Sequence, residues 1–484
     1  MKRLRGAEHS QRTLRKSTAV HEIDIIDATG AIPAAFESRY ILKRQPCLIQ
    51  GLVAGFDLES FRLDNLADFL QCDEFLQVER KSSGGYGTGE NRIRLKLADL
   101  VDRLNKGDHS LYLTTQYEED DCLSDADSDG EFPQTETAPV PTDTDSELGS
   151  VDFDNFHDDF DYDSDNSDDG EYSASEGQPS LDTARTRVQE LLQKPLTNLY
   201  RRWPMELLRP SLLAGLVPQQ INLWMGRADP DSRLLFDESQ PLLGLGRSLP
   251  SPGASSSGLH HDHADNLYIL ISGKKRFTLF PPTDAPNLYT VGDIEKIYPS
   301  GVIDYVRNEN APFWKHVRED GALVGQVALW RLERESLDEE EKKRLEAVAE
   351  RESGVHEEKA RHGKTKSDPP SFSKIPPALL HLDDVQDAVQ RAKMERLIDS
   401  EFPRLKQCKP LQVTIEPGQM LYLPAGWFHE VSSFGRDDEP VHIAVNYWFA
   451  PPASRSPPLY TDSYWTEDFD ETSKCLHILH SHSR

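Results

Sequence analysis

SSSGLHHDHADNLYILISGKKRFTLFPP, residues 255–282, decides how this 484-residue chain is read. Two apolar runs, about 267–272 and 276–280, are joined across Ser272-Gly273-Lys274, a compact hairpin turn. Ahead of them stands His260-His261-Asp262-His263. Side chains alternate across an extended chain, so His260 and Asp262 share one face and His261 and His263 the other. The first pair offers one imidazole and one carboxylate to a single ion. An imidazole from a distant strand would complete a two-His, one-carboxylate set, which leaves coordination positions open and marks non-haem Fe(II) oxygenases. His261 and His263 form a rival His-x-His pair suited to zinc. A His-rich run alone is more often surface or core histidine than a metal site.

Working outward, LQVTIEPGQMLYLPAGWFHEVSS (411–433) and VHIAVNYWFAPP (441–452) read as short strands with Gly/Pro turns. His429 follows the strand-like MLYLP and the PAGW turn, which makes it the candidate third ligand. Its neighbours Trp427 and Phe428 are expected in the core. Upstream, INLWMG (221–226) and SLYLTTQY (110–117) are strand-like, LDNLADFLQ (63–71) has helical spacing, and Pro46 precedes a short apolar strand. Many short strands with turn signals fit a barrel or sandwich, mostly β with peripheral helices.

The chain holds 83 acidic against 54 basic residues, a net charge of −29. Between Glu118 and Asp182 lie 24 acidic residues and neither Lys nor Arg; setting these aside brings the net charge to about −5. The stretch 118–185 therefore reads as a disordered acidic insert. Ser124, Ser128 and Ser173 each have an acid three residues on, but a solvated spacer that could meet a basic partner explains the segment more simply. The low basic content argues against nucleic-acid binding. A second insert, about 318–370, contains WRLERESLDEEEKKRLEAVAERE (330–352), read as one exposed charged helix with i,i+4 ion pairs, and HLDDVQDAVQRAKMERLI (381–398) reads as another helix. The basic start, 1–20, and the end, 453–484, read as mobile tails, although Cys475, His477, His480 and His482 form a close Cys/His tract. The five cysteines make no CxxC pair, so neither a zinc finger nor a disulfide framework is expected. No apolar run is long enough to span a membrane and no signal peptide is apparent, so a cytoplasmic or nuclear location is the default.

Taken in order, SGLHHDHADNL (257–267), GKKRFTLFPP (273–282), PGQMLYLPAGWFH (417–429) and VNYWF (445–449) resemble the jumonji-C family. That resemblance implies a double-stranded β-helix (cupin, jelly-roll) core, here with two long inserts. It implies an iron triad of His260, Asp262 and His429, with 2-oxoglutarate and O2 as co-substrates. Lys275, fifteen residues after the first ligand, would anchor the far carboxylate of 2-oxoglutarate. Tyr112, Ser257, Asn266 and Asn446 would be supporting polar groups. Within the family, NLWMG, NLYILISGKKRF, LYTV and MLYLPAGWFHEV are similar to the small peptidyl hydroxylases, chiefly the lysyl (3S)-hydroxylase subgroup and also the asparaginyl hydroxylase that inhibits hypoxia-inducible factor. The resemblance covers about 21–117 and 197–452; the catalytic unit is accordingly expected over 21–117 and 186–452. It implies a protein or peptide substrate and, from related proteins, a homodimer. The competing functions are N-methyl-lysine demethylation, tRNA hydroxylation and a non-catalytic scaffold. No sequence pattern supports the peptidase activity claimed for that subgroup.

Overall fold

The structure is a computed structural model, described over residues 23–81, 86, 92–116, 178–229, 253–308, 311, 314–362, 369–436 and 439–482. The basic start, most of the acidic insert with its three serines, Cys122 and Tyr117 lie outside the described residues.

The described residues form fifteen strands: β1 Asp24–Asp27, β2 Cys47–Gln50, β3 Phe75–Arg80, β4 Arg92–Lys96, β5 Leu111–Leu113, β6 Pro218–Arg227, β7 Ala254–Ser256, β8 Asp265–Ser272, β9 Lys274–Phe280, β10 Ile294–Ile297, β11 Ile303–Tyr305, β12 Leu411–Ile415, β13 Gln419–Leu423, β14 Phe428–Phe434 and β15 Val441–Phe449. Nine build one sheet in the order β1-β2-β13-β8-β15-β6-β5-β3-β4, and four build a second in the order β12-β9-β14-β7. The two sheets face each other as a jelly roll, and the chain crosses between them at Gly273, whose φ of +77° the β8–β9 turn requires.

The period of two explains the layering. Tyr268 and Leu270 of β8, Phe277 and Leu279 of β9, Val413, Leu421, Val431 and Ala444 meet between the sheets. The alternate residues Leu267, Ile269, Ile271, Ile443 and Val445 face a larger cluster on the other side of the nine-stranded sheet. With both faces covered, β8 and β15 are buried throughout and read as continuous apolar runs. Strand β12 is exposed at every second residue and alternates visibly.

Three expectations need correction. The end of the chain is an ordered helix, Tyr464–His482, with Trp465, Cys475, Leu476 and Leu479 buried against the core that also takes Val188 and Leu191 of the helix Leu181–Leu191. An apolar stripe drawn from Trp, Cys and Leu outweighs the polar His run. The charged segment 330–352 is not one helix: Val324–Arg334 and Glu339–His362 pack as a hairpin with Ala328, Leu345 and Ala349 between them. Asp338 turns the chain there by accepting from the Glu340 and Glu341 N–H groups, an N-cap inside the expected run. The expected helix over 381–398 is Ala388–Glu401, capped by the Asp387 carboxylate. No helix among the described residues is long and apolar enough to cross a membrane.

Candidate metal and co-substrate site

His260 and Asp262 do not lie on a regular strand, as simple alternation suggested. They precede β8 in an irregular segment where His260 makes isolated bridges to His429 and Phe372. The backbone itself joins two of the three expected ligands, since the His260 N–H donates to His429 O (3.1 Å) and the His429 N–H to His260 O (2.7 Å). One donor atom from each of His260, Asp262 and His429 lies within 4.8 Å of the others. The His260 Nε2 to Asp262 Oδ1 distance is 3.8 Å and the His429 Nε2 to Asp262 Oδ2 distance is 3.6 Å.

The tautomers suit a metal. Nδ1 of His260 lies 3.0 Å from Gly258 O and Nδ1 of His429 lies 3.0 Å from Trp427 O. A carbonyl can only accept, so each Nδ1 carries the proton and each Nε2 lone pair faces the shared point. Burial and the neighbouring His429 push the His260 pKa down to about 4, which keeps the ring neutral. The rival pair is occupied otherwise: His261 Nε2 meets Tyr305 Oη at 2.6 Å, and His263 Nε2 meets Ile303 O at 3.1 Å. A second cluster, Glu295, Asp304 and His316, also brings three ligand-type groups together. There Asp304 accepts from Trp314 Nε1 (2.7 Å) and lies 3.2 Å from His316 Nδ1, raising the His316 pKa by hydrogen bonding, so the imidazole and the carboxylate satisfy one another.

Lys275 is 1% exposed and donates to Tyr112 Oη at 2.9 Å. Among the described residues it makes no ion pair with a carboxylate. Burial, helped by Lys81, pushes its pKa down to about 7. The rings of Tyr86, Tyr112 and Tyr268 surround the ammonium at 5.6, 5.5 and 5.7 Å from their centroids. A buried cation of this kind is costly unless an anion arrives to meet it. These residues therefore fit both groups implied by the family: two imidazoles and a carboxylate for an iron ion, and an ammonium with no carboxylate partner among the described residues for a carboxylate.

The supporting residues divide. Asn446 accepts from Trp224 Nε1 (2.8 Å) and donates to Asn266 Oδ1 (3.3 Å), so the pair forms a fixed amide ladder on the inner face. The Ser257 hydroxyl donates to Gly258 O and accepts from the Val431 N–H, which ties β7 to β14 and leaves no proton for a ligand. Trp427 and Phe428 are core residues, as expected, and the Trp427 indole donates to Arg44 O (3.1 Å).

Sequence reasoning missed several residues that hold this geometry. Asp265 accepts from Arg44 at both carboxylate oxygens, from Tyr422 Oη (2.7 Å) and from the Ala425 N–H (2.9 Å). It thereby locks the chain after Asp262 to the turn before His429. An acid opening an otherwise apolar strand was the available signal. Gly426, at φ +75°, donates its N–H to Asp262 O (2.9 Å), and a Cβ there would come within 1.8 Å of Gly301 O. Phe372 stacks on the His260 ring with centroids 4.9 Å apart. Glu430, fully buried beside His429, is held by His381 (2.8 Å), Ser256 (2.6 Å) and Ser432. Tyr86 stacks on Tyr112 at 3.8 Å.

The sequence matches the cupin-like domain family over residues 33–455. It is 27% identical over 481 residues to the JmjC domain-containing protein 4 of Schizosaccharomyces pombe, covering 87% of this chain and 83% of that protein. It is 27% identical to the lysine-specific demethylase JMJ32 of Arabidopsis thaliana over 49% of this chain and 43% of that protein. Against the bifunctional peptidase and (3S)-lysyl hydroxylase JMJD7 of Homo sapiens it is 23% identical, again over 49% of this chain and 43% of that protein. The jelly-roll core, the converging His-x-Asp and His side chains and a family match across most of its length agree: the chain belongs to the cupin-like domain family and, within it, to the jumonji-C oxygenases.

Proposed function

We propose that this protein is an Fe(II)- and 2-oxoglutarate-dependent oxygenase that hydroxylates a protein side chain, with lysyl the first choice. One observation carries the reading: three ligand-type side chains converge on one point and share a barrel interior with a buried lysine that, among the described residues, makes no ion pair with a carboxylate. His260, Asp262 and His429 would hold the iron, and Lys275 with Tyr112 would hold the far carboxylate of 2-oxoglutarate. Iron so held supplies, with 2-oxoglutarate and O2, the oxidising power to place one oxygen atom on a substrate carbon while the co-substrate becomes succinate and carbon dioxide. The protein's own part is orientation. Carbonyl-bound Nδ1 groups fix both imidazoles, Phe372 fixes the His260 plane, and the apolar layer between the sheets keeps the interior dry.

Demethylation of N-methyl-lysine is the second reading, favoured by the similarity to JMJ32. It uses the same site on an N-methyl group. The test is a peptide-library incubation read by mass spectrometry. A gain of about sixteen daltons on an unmethylated lysyl peptide supports hydroxylation, and a loss of about fourteen from a methylated one supports the second reading. Neither change, under conditions where 2-oxoglutarate is consumed, would move the substrate away from lysine.

A further inference from the structure

His442 is fully buried, and among the described residues neither of its ring nitrogens has a hydrogen-bond partner. Groups of this kind are rare in folded proteins and call for a ligand or a role. The fold makes room for it at two glycines. A Cβ on Gly226 would lie 2.7 Å from the His442 ring and 2.5 Å from Tyr112, and one on Gly273 would lie 2.6 Å from the His442 Cβ. The imidazole edge meets the Tyr112 ring with centroids 5.5 Å apart, and Tyr112 is the residue bonded to Lys275. His442 therefore lines the same part of the barrel interior as Tyr112 and Lys275. Burial, then the nearby Lys275 and Lys81, keep its ring neutral, with one N–H to donate.

A carboxylate entering this part has about four acceptor sites. Lys275 and Tyr112 provide donors for some of them. Of the other polar groups nearby, Tyr86 Oη is already bonded to Val431 O and Ser433 Oγ, and Lys81 Nζ gives one of its three protons to Arg227 O. We infer that His442 donates to the far carboxylate of the co-substrate, as the third member of a cradle with Lys275 and Tyr112. The inference rests on the reading of Lys275 given above. It makes His442 a binding residue that recognises a dicarboxylate.

The test is calorimetry on the full chain loaded with Mn(II), a redox-inert stand-in for Fe(II). Two probes are titrated: 2-oxoglutarate, and 2-oxobutyrate, which lacks the far carboxylate. His442→Phe keeps the bulk and removes the donor; it should weaken 2-oxoglutarate about tenfold or more, the size expected for a lost charge-assisted hydrogen bond. Mn(II) and 2-oxobutyrate binding should not change, and His442→Gln, which keeps an N–H, should recover most of the affinity. Parental 2-oxoglutarate affinity in His442→Phe would overturn the inference and leave Lys275 untouched. Equal loss of Mn(II) and both oxo acids would also overturn it, by showing a structural role. A parent protein that takes no 2-oxoglutarate would remove the reading of Lys275 and this inference together.

Discussion

Lys275 is the residue at which pH enters. In the unfolded chain a lysine keeps its proton to about pH 10.4, whereas burial lets it go near 7 in the folded, ligand-free protein. Between those values the unfolded state holds more protons, so this group makes stability rise with pH across that window. Binding of 2-oxoglutarate has the opposite slope, because its carboxylate needs the ammonium form. Affinity for 2-oxoglutarate should therefore fall as pH rises above about 7, and Lys275→Met should bind weakly with little pH dependence. Calorimetry from pH 6 to 9 checks both, with Lys81, Tyr86, Tyr112 and His442 as the neighbouring polar groups. Gly426 is a second residue with a sharp expectation. Gly426→Ala cannot keep both its φ and the approach of Gly301 O, so Mn(II) affinity should fall by roughly 10–100-fold, the range for disturbed ligand support. The convergence of His260, Asp262 and His429 was legible, since His-x-Asp and a distant His have a chemical reason to occur together. Gly426, Phe372 and His442 were not, because stacking and close approach have no signature in one sequence.

Between elements, the Asp265–Arg44 pair carries the mechanical load. It joins the segment before β2, the start of β8 and the turn before β14 in one buried network, which also includes Tyr422. Asp265→Ala leaves a buried guanidinium without its partner and should cost about 3–5 kcal/mol in urea unfolding. The same variant should lose metal affinity, since the two halves of the triad are no longer held in register. The strands were readable where turn chemistry bounded them, as at Gly273 and the PAGW turn. Their pairing was not: β2 runs beside β13, more than three hundred residues along the chain, and β5 beside β6, more than one hundred along.

Across the whole molecule, the helix Tyr464–His482 closes the apolar layer behind the nine-stranded sheet. Its Trp465 is 5% exposed and donates to Asp320 O (3.2 Å), which ties the end of the chain to the insert near 318–370. Trp465→Ala should cost about 3–5 kcal/mol, as other large-to-small core changes do, with a lower thermal midpoint as the readout. Composition misled here, because a polar His run hides an apolar stripe of period 3.6. Short strands and turn residues served better, since they read as a barrel or sandwich before any pairing was known; the jelly roll itself followed from the family resemblance.

In the proposed function His260 and Lys275 serve one reaction, as metal ligand and co-substrate anchor. Succinate formation from 2-oxoglutarate by the purified protein with Fe(II), beside His260→Ala and Lys275→Ala, tests it most directly. Turnover is expected in the parent, even at a low uncoupled rate, and is expected to be lost in both variants. Undiminished succinate formation in either variant, or none in the parent together with no binding of metal or 2-oxoglutarate, would contradict it.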